Sequence, residues 1–400
     1  MTPPSNSAVS EDAESAQGEL PGVILRLRQR LAGVPVAPFE VELPDGALHR
    51  VGEGTPVFSL RLRSARAVRA LQSLDETSIC EAYIDGEIDF AGSFLAALDL
   101  RRIASDWHPL HSLWRFVRPL LLGAVRSDKN WIARHYDYGN DFYFAFLDRR
   151  HRLYSQALYR SDEEPLEQAA ENKLEYIMRA CRLSAGAHVL DVGGGWGSFA
   201  GYAAARGVKV TALTISREQY DFLRGRGVDV VYESIFAYGP QRQYDAVTLL
   251  GVMEHLPAYR RLFARFDRLL KTGGRLYMDF AANRRKFNVS SFTYRYVFPG
   301  SHTPVVMPGL LAAANATPFE TLAVHNDRHS YFLTLQQWAR NLEAAHDELA
   351  RRYGERTYRL FQLYLWGCAH QFRRDGELES YRVVFQKAHG SPSTEIGLNL

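Results

Sequence analysis

The chain has 400 residues, more than one hydrophobic core usually organises, so a main domain with a smaller companion is the expected plan. Its net charge is only +3, from 48 Lys and Arg against 45 Asp and Glu, which excludes a strongly basic nucleic-acid surface. The three cysteines, Cys80, Cys181 and Cys368, are far apart, which excludes a disulfide framework or a recognisable metal site and fits a reducing cytosol.

Residues 1–19, rich in Ser, Pro, Ala and Glu, read as a disordered lead-in and not as a signal peptide. No apolar run reaches the roughly 20 residues that span a bilayer, so the expected place is the cytoplasm, at most peripheral to the inner face of the membrane. Over 20–105, β-rich runs (Phe39 to Leu43, Val57 to Leu62) alternate with helical ones (Val23 to Leu31, Ala65 to Leu74, Phe94 to Leu100). Pro44-Asp45-Gly46 marks a turn between strands, and the whole predicts a small α+β N-terminal domain. A helical linker over 106–130 and an aromatic-dense segment from Trp131 to Tyr159 follow. Basic clusters at Arg26 to Arg30, Arg61 to Arg69, Arg101-Arg102 and Arg284-Arg285-Lys286 read as solvated faces. If they share one face, they suit anionic headgroups.

From Leu183 onward, short apolar strands alternate with helices. Strands are predicted at His188 to Val192, Lys209 to Leu213, Val228 to Tyr232, Ala246 to Leu250 and Gly274 to Asp279, with a helix from Ser198 to Ala205. This spacing implies an α/β doubly wound sheet, its strands parallel and its helices on both faces. Residues 131–400 form this domain, with an insertion over 284–335 that has few periodic signals. Helices at Leu335 to Arg352 and Thr357 to Phe372 and a strand at Tyr381 to Phe385 complete it.

The first core strand ends in Asp191 and runs into Val192-Gly193-Gly194-Gly195-Trp196-Gly197 before a helix. Glycines at such a turn let the backbone approach a ligand at the carboxyl end of the sheet. The dinucleotide fingerprint is incomplete, because Ser198 stands where its third glycine belongs. The second strand ends in Leu213-Thr214-Ile215-Ser216, without the acidic residue that binds an NAD ribose. Both features favour S-adenosylmethionine (SAM) over NAD. Glu254-His255, after the fourth strand, reads equally as a site pair or as a helix N-terminal carboxylate.

Together these motifs resemble the cyclopropane-fatty-acid synthases and their mycolic-acid-modifying relatives. The resemblance rests on Glu81 to Glu87, His135 to Tyr143, the glycine turn with its tryptophan, Thr214 to Gln219, Met253-Glu254-His255, Tyr296 to Pro299 and Tyr364 to Ala369, in family order. It implies a class I SAM-methyltransferase (Rossmann-like) fold, a lipid-engaging N-terminal domain and SAM as cofactor. Tyr154 and Ser155 would contact SAM from above, and Gly193 and Gly195, with Asp191 below them, would face its methionine part. Thr214 and Gln219 would lie on the ribose side. The aspartate that often caps the adenine is replaced by Phe236, which leaves Glu233 or Ser234 as substitutes.

Relatives hold bicarbonate as a base with a glutamate, a histidine, a tyrosine and a cysteine-centred loop. By resemblance Glu254 and Tyr331 keep two of these positions, whereas Gln156 replaces the cysteine and Asp279 the histidine. A carboxylate at Asp279 would repel bicarbonate beside Glu254. The expectation is that Asp279, or the Glu254–Asp279 pair, serves as anion and base, giving a methylene- or methyl-branched acyl chain. His135 and His255 are second-rank candidates that also read as satisfied polar residues. Asp279 also reads as an ion partner of Arg284 or Arg285, and Tyr331 as core.

The expected partners are phospholipid acyl chains, the membrane surface, an oxidoreductase that would reduce a methylene product, and a second copy of the chain through the C-terminal helices; nucleic acid is not expected. A true cyclopropane synthase, a small-molecule methyltransferase and a non-catalytic lipid-binding relative are the alternatives.

Overall fold

The computed structural model describes residues 21–106, 138–239, 242–284, 290–297 and 302–388. The predicted lead-in, the 106–130 linker past Asp106, His135, and Arg285 and Lys286 lie outside these residues. The chain divides into two compact units, Met1–Trp107 and His108–Leu400. No helix among the described residues is long and apolar enough to cross a membrane.

The first unit is a four-stranded sheet, order β2-β1-β3-β4, with β1 Phe39–Glu42, β2 Leu48–Val51, β3 Phe58–Leu62 and β4 Ile88–Gly92. Helices α1 Gly22–Leu31, α2 Ala65–Ser73, α3 Glu76–Ile84 and α4 Phe94–Ala97 accompany it. Three of these helices start at side-chain caps: Ser64 accepts from the Ala67 amide, Asp75 from Ser78 and Ser93 from Ala96. Phe39 and Phe58, paired across β1 and β3, stack at 4.7 Å inside a core with Val23, Ile24, Leu27 and Leu71. The helix expected over Phe94 to Leu100 ends at Ala97 and tightens into a 3₁₀ turn, Leu98–Arg102. The basic runs at 61–69 and 101–102 are largely neutralised, whereas that at 26–30 has no ion pair among the described residues. Arg61 pairs with Glu42, Arg63 with Asp89, Arg66 with Asp85, Arg101 with Glu76 and Arg102 with Asp99.

In the second unit α5 Asn140–Phe144 and α6 Leu166–Ala180 precede β5 His188–Val192, α7 Ser198–Ala204, β6 Lys209–Thr214, α8 Arg217–Gly225, β7 Asp229–Tyr232, β8 Tyr244–Leu250, α9 Tyr259–Leu269 and β9 Leu270–Ala282. Then come α10 Met307–Asn315, β10 Phe319–Asn326, α11 Arg328–Ala344, α12 His346–Tyr353, α13 Glu355–Phe372 and β11 Glu379–Lys387. The sheet order is β10-β11-β9-β8-β5-β6-β7, parallel from β9 to β7 and antiparallel at β11 and β10.

Strands buried on both faces explain the winding. Val189, Val210, Ala246 and Tyr277 point to Leu174 and Ile177 of α6 and Phe199 and Ala203 of α7. Their neighbours Leu190, Leu249, Leu276 and Met278 point to Leu262, Phe263 and Phe266 of α9. Each such side chain, taken from water, contributes about 1.5–3 kcal/mol.

Two expectations change. The stretch over 284–335 is not one insertion, because β10 adds an edge strand to the sheet by pairing with β11. The helix expected from Leu335 to Arg352 begins at Arg328 and divides at Ala345 into α11 and α12.

Candidate active site

The chain leaves β5 at Val192 and turns through Gly193-Gly194-Gly195-Trp196-Gly197 into α7. Gly193 has φ +75°, and a Cβ there would lie 2.5 Å from Val252 Cγ2, so the turn accepts only glycine. Beneath it, Asp191 is buried and accepts a hydrogen bond from Thr248 Oγ1 at 2.7 Å. Burial pushes its carboxyl up to about 6. At the end of β6, Thr214 Oγ1 donates to Gln219 Oε1 at 2.9 Å and accepts from the Ser216 amide at 3.1 Å. Ser216 caps α8 and so fixes Gln219 in its first turn. Trp196 Nε1 donates to Asn140 Oδ1 at 2.7 Å, tying the turn to α5.

One cleft is lined by Tyr154, Ser155, Asp191, Gly193, Gly195, Thr214, Gln219 and Ser234, all eight residues predicted to hold the cofactor. Glu233, Phe236 and His255 also line it. The Phe236 amide donates to Ser234 Oγ at 3.4 Å, and Arg261 lies over the Phe236 ring at 4.6 Å. Burial lowers His255 to about 4, so it is neutral near pH 7. A glycine cradle, a buried hydroxyl–amide pair and a carboxyl beneath the turn fit the amino-acid and ribose parts of SAM. Tyr154 closes the cleft within an aromatic cage, its ring 5.8 Å from Trp196, 5.4 Å from Trp338 and 5.5 Å from Tyr143. Tyr364 of α13 also bonds Tyr154.

Behind Ser155 and Gly251 lies a buried charged cluster. Lys173 of α6 is fully buried, with Nζ 2.7 Å from Ser155 Oγ and 2.9 Å from Asp279 Oδ2. Asp279 Oδ1 accepts from the Gly251 amide at 3.1 Å. Burial pushes Lys173 down and Asp279 up, and the attraction between them opposes both shifts. Among the described residues the ion partner of Asp279 is therefore Lys173 and not Arg284, one of the two arginines weighed from the sequence; the other, Arg285, lies outside the described residues.

Glu254 Oε1 accepts from the Ala281 amide at 2.6 Å, while its buried Oε2 has no partner among the described residues. Desolvation raises this carboxyl to about 7. Tyr331 is held far above its ordinary range, first by burial and then by the Glu254 charge, and its ring packs 4.5 Å from Phe372. Gln156 is buried with Nε2 3.4 Å from Asp327 Oδ2 and from the Tyr381 carbonyl. Asp327 is in turn paired with Arg382 at 2.6 Å. Gln156 thus bonds to the β10–β11 edge, and Asp279 to α6 and the cleft wall.

Sequence reasoning did not single out Lys173. The signal was present: Leu166, Ala169, Ala170, Leu174 and Ile177 form the buried stripe of α6, and Lys173 falls on that stripe.

The chain matches the mycolic acid cyclopropane synthetase family over residues 124–382 and a domain of unknown function over residues 27–100. The chain belongs to the mycolic acid cyclopropane synthetase family. It is 30% identical to the cyclopropane-fatty-acyl-phospholipid synthase of Escherichia coli K12, over 87% of this chain and 96% of that protein. It is 32% identical to a probable fatty acid methyltransferase of Pseudomonas putida, over 88% and 92% respectively. It spans 65% of the length of the sphingolipid C9-methyltransferase of Candida albicans, at 28% identity over 77% of this chain. The fold is also that of the cyclopropane synthase MmaA2 from Mycobacterium tuberculosis, with a TM-score of 0.61 at 23% identity, covering 65% of this chain and 98% of that one. As a member of this family the chain is a SAM-dependent methyltransferase acting on lipids.

Proposed function

We propose that this methyltransferase adds a carbon to the double bond of an unsaturated phospholipid acyl chain and gives a methylene- or methyl-branched product without bicarbonate. The observation that carries this reading is the buried Lys173–Asp279 pair, at the position by resemblance of the family's bicarbonate-binding histidine. A carboxylate already neutralised by Lys173 offers a second anion no donor, so bicarbonate gains nothing there to offset its desolvation.

SAM bound in the cleft supplies an electrophilic methyl group. The alkene π pair forms the new C–C bond as the C–S bond breaks, leaving a cation on the neighbouring carbon. Tyr154, which lines the cleft, offers a π face to that cation, and the rings packed against it, Trp338 among them, help to keep water from it. A hydride shift moves the cation to the methyl-bearing carbon. Glu254 Oε2 then takes a proton from the methyl group, and the electron pair of that C–H bond forms a C=CH₂ double bond on the chain carbon, leaving a methylene branch. A methyl-branched product requires two electrons and two protons from a separate reductase. Lys173 and Asp279 position the cleft wall through Ser155 and Gly251.

The test is turnover in carbon-dioxide-free buffer with and without added bicarbonate. The wild type keeps its rate and product in both. If Asp279→His with Gln156→Cys leaves product and bicarbonate independence unchanged, the role given to the pair is wrong.

A further inference from the structure

A groove on the second unit is lined by seven basic side chains against two carboxylates, Glu171 and Asp229. Arg150 pairs with Glu171. Among the described residues, Arg149, Arg152, Arg206, Lys209, Arg226 and Arg242 line the groove without an ion pair to any carboxylate. This contrasts with the first unit, where the arginines of the 61–69 and 101–102 runs are mostly held by carboxylates. The groove thus gathers six basic side chains that no carboxylate holds among the described residues.

The groove also holds its guanidinium groups in place. Arg152 lies 4.0 Å over the Phe144 ring, Arg226 5.4 Å over Phe222 and Arg206 3.6 Å over Tyr202. A guanidinium held over a ring retains N–H donors, and these match the oxygens of a phosphate. Arg152, Trp196 and Ser198 line both this groove and the cofactor cleft, so the two adjoin.

From these observations we infer that the groove is the surface by which the enzyme docks on an anionic bilayer, its arginines meeting lipid phosphates at a face that adjoins the cofactor cleft. The inference rests on the phospholipid reading above and deepens it by naming the face. A bilayer fits better than a nucleic acid because the groove joins the cleft of a lipid-modifying enzyme.

Co-sedimentation with phosphatidylglycerol-containing vesicles, set against phosphatidylcholine vesicles, tests the inference independently of catalysis. The full chain binds the anionic vesicles, and added salt weakens binding. Lys209→Glu, Arg226→Glu and Arg242→Glu each lower vesicle affinity about fivefold or more, since each basic residue near such a surface contributes roughly that factor. The same variants keep wild-type turnover on detergent-dispersed phospholipid. Wild-type vesicle binding by the triple variant overturns the docking surface, as does a short DNA duplex that competes as well as the vesicles. Loss of turnover on dispersed lipid by the wild type instead refutes the phospholipid reading.

Discussion

Lys173 Nζ and Asp279 Oδ2 stand 2.9 Å apart with neither side chain exposed, joining α6 to β9 directly behind the wall of the cofactor cleft. The pair sets the charge of the site. Without Lys173, Glu254 and Asp279 would be two unpaired carboxylates in one buried cluster; with it, Asp279 is paired and Glu254 Oε2 is left without a partner among the described residues.

Removing one member leaves the other as an uncompensated buried charge. Lys173→Met should cost about 3–5 kcal/mol in denaturant unfolding. Lys173→Met combined with Asp279→Leu should recover most of that loss, because both desolvation costs disappear together. A double variant as unstable as the single one contradicts the coupling.

Glu254 gives the stability a defined pH dependence. Its carboxyl is raised from 4.5 to about 7 in the folded chain. A raised group stabilises fully below 4.5 and loses that contribution as pH rises through about 7. The loss is roughly 3 kcal/mol from the size of the shift. Glu254→Gln, which cannot ionise, should flatten the unfolding free energy across this window. An unchanged slope would remove the shift from the account.

The same carboxyl governs the rate. With Glu254 as base, kcat/KM should climb with pH to a plateau above about 7, and Glu254→Gln should lower it on the order of a hundredfold or more. Glu254→Asp should keep the rising limb at reduced rate. A pH limb that survives in Glu254→Gln belongs to another group.

Gly193→Ala should weaken SAM binding by on the order of tenfold or more in calorimetry, since the new methyl would lie 2.5 Å from Val252 at φ +75°. Gly201, in α7 with open space where its Cβ would be, is the control, and Gly201→Ala should bind as the wild type does.

Much of the catalytic unit was legible because strand and helix periods in a doubly wound sheet are strong. His188–Val192 appeared at both of its bounds, and the glycine turn displayed its backbone requirement directly. Of the eight residues expected to hold the cofactor, Asp191, Gly193, Gly195, Thr214, Gln219 and Ser234 end or follow β5, β6 or β7, where such a fold gathers its ligand contacts, whereas Tyr154 and Ser155 come from the segment between α5 and α6. What failed to show was pairing at long range. β10 borders β11 across more than fifty residues of intervening helices, and its own burial pattern is mostly exposed, so nothing local announced an edge strand. Lys173 looked like one more charged residue of an amphipathic helix until its position on the buried stripe met Asp279.

The most direct measurement is the product. Incubating the enzyme with SAM and an oleoyl phospholipid, in buffer free of bicarbonate, and comparing the fatty esters with methylene and cyclopropane standards by gas chromatography–mass spectrometry decides the central claim. The account predicts a methylene ester, converted to the methyl-branched ester when a reductase is supplied. A cyclopropane ester that forms only when bicarbonate is restored would contradict it.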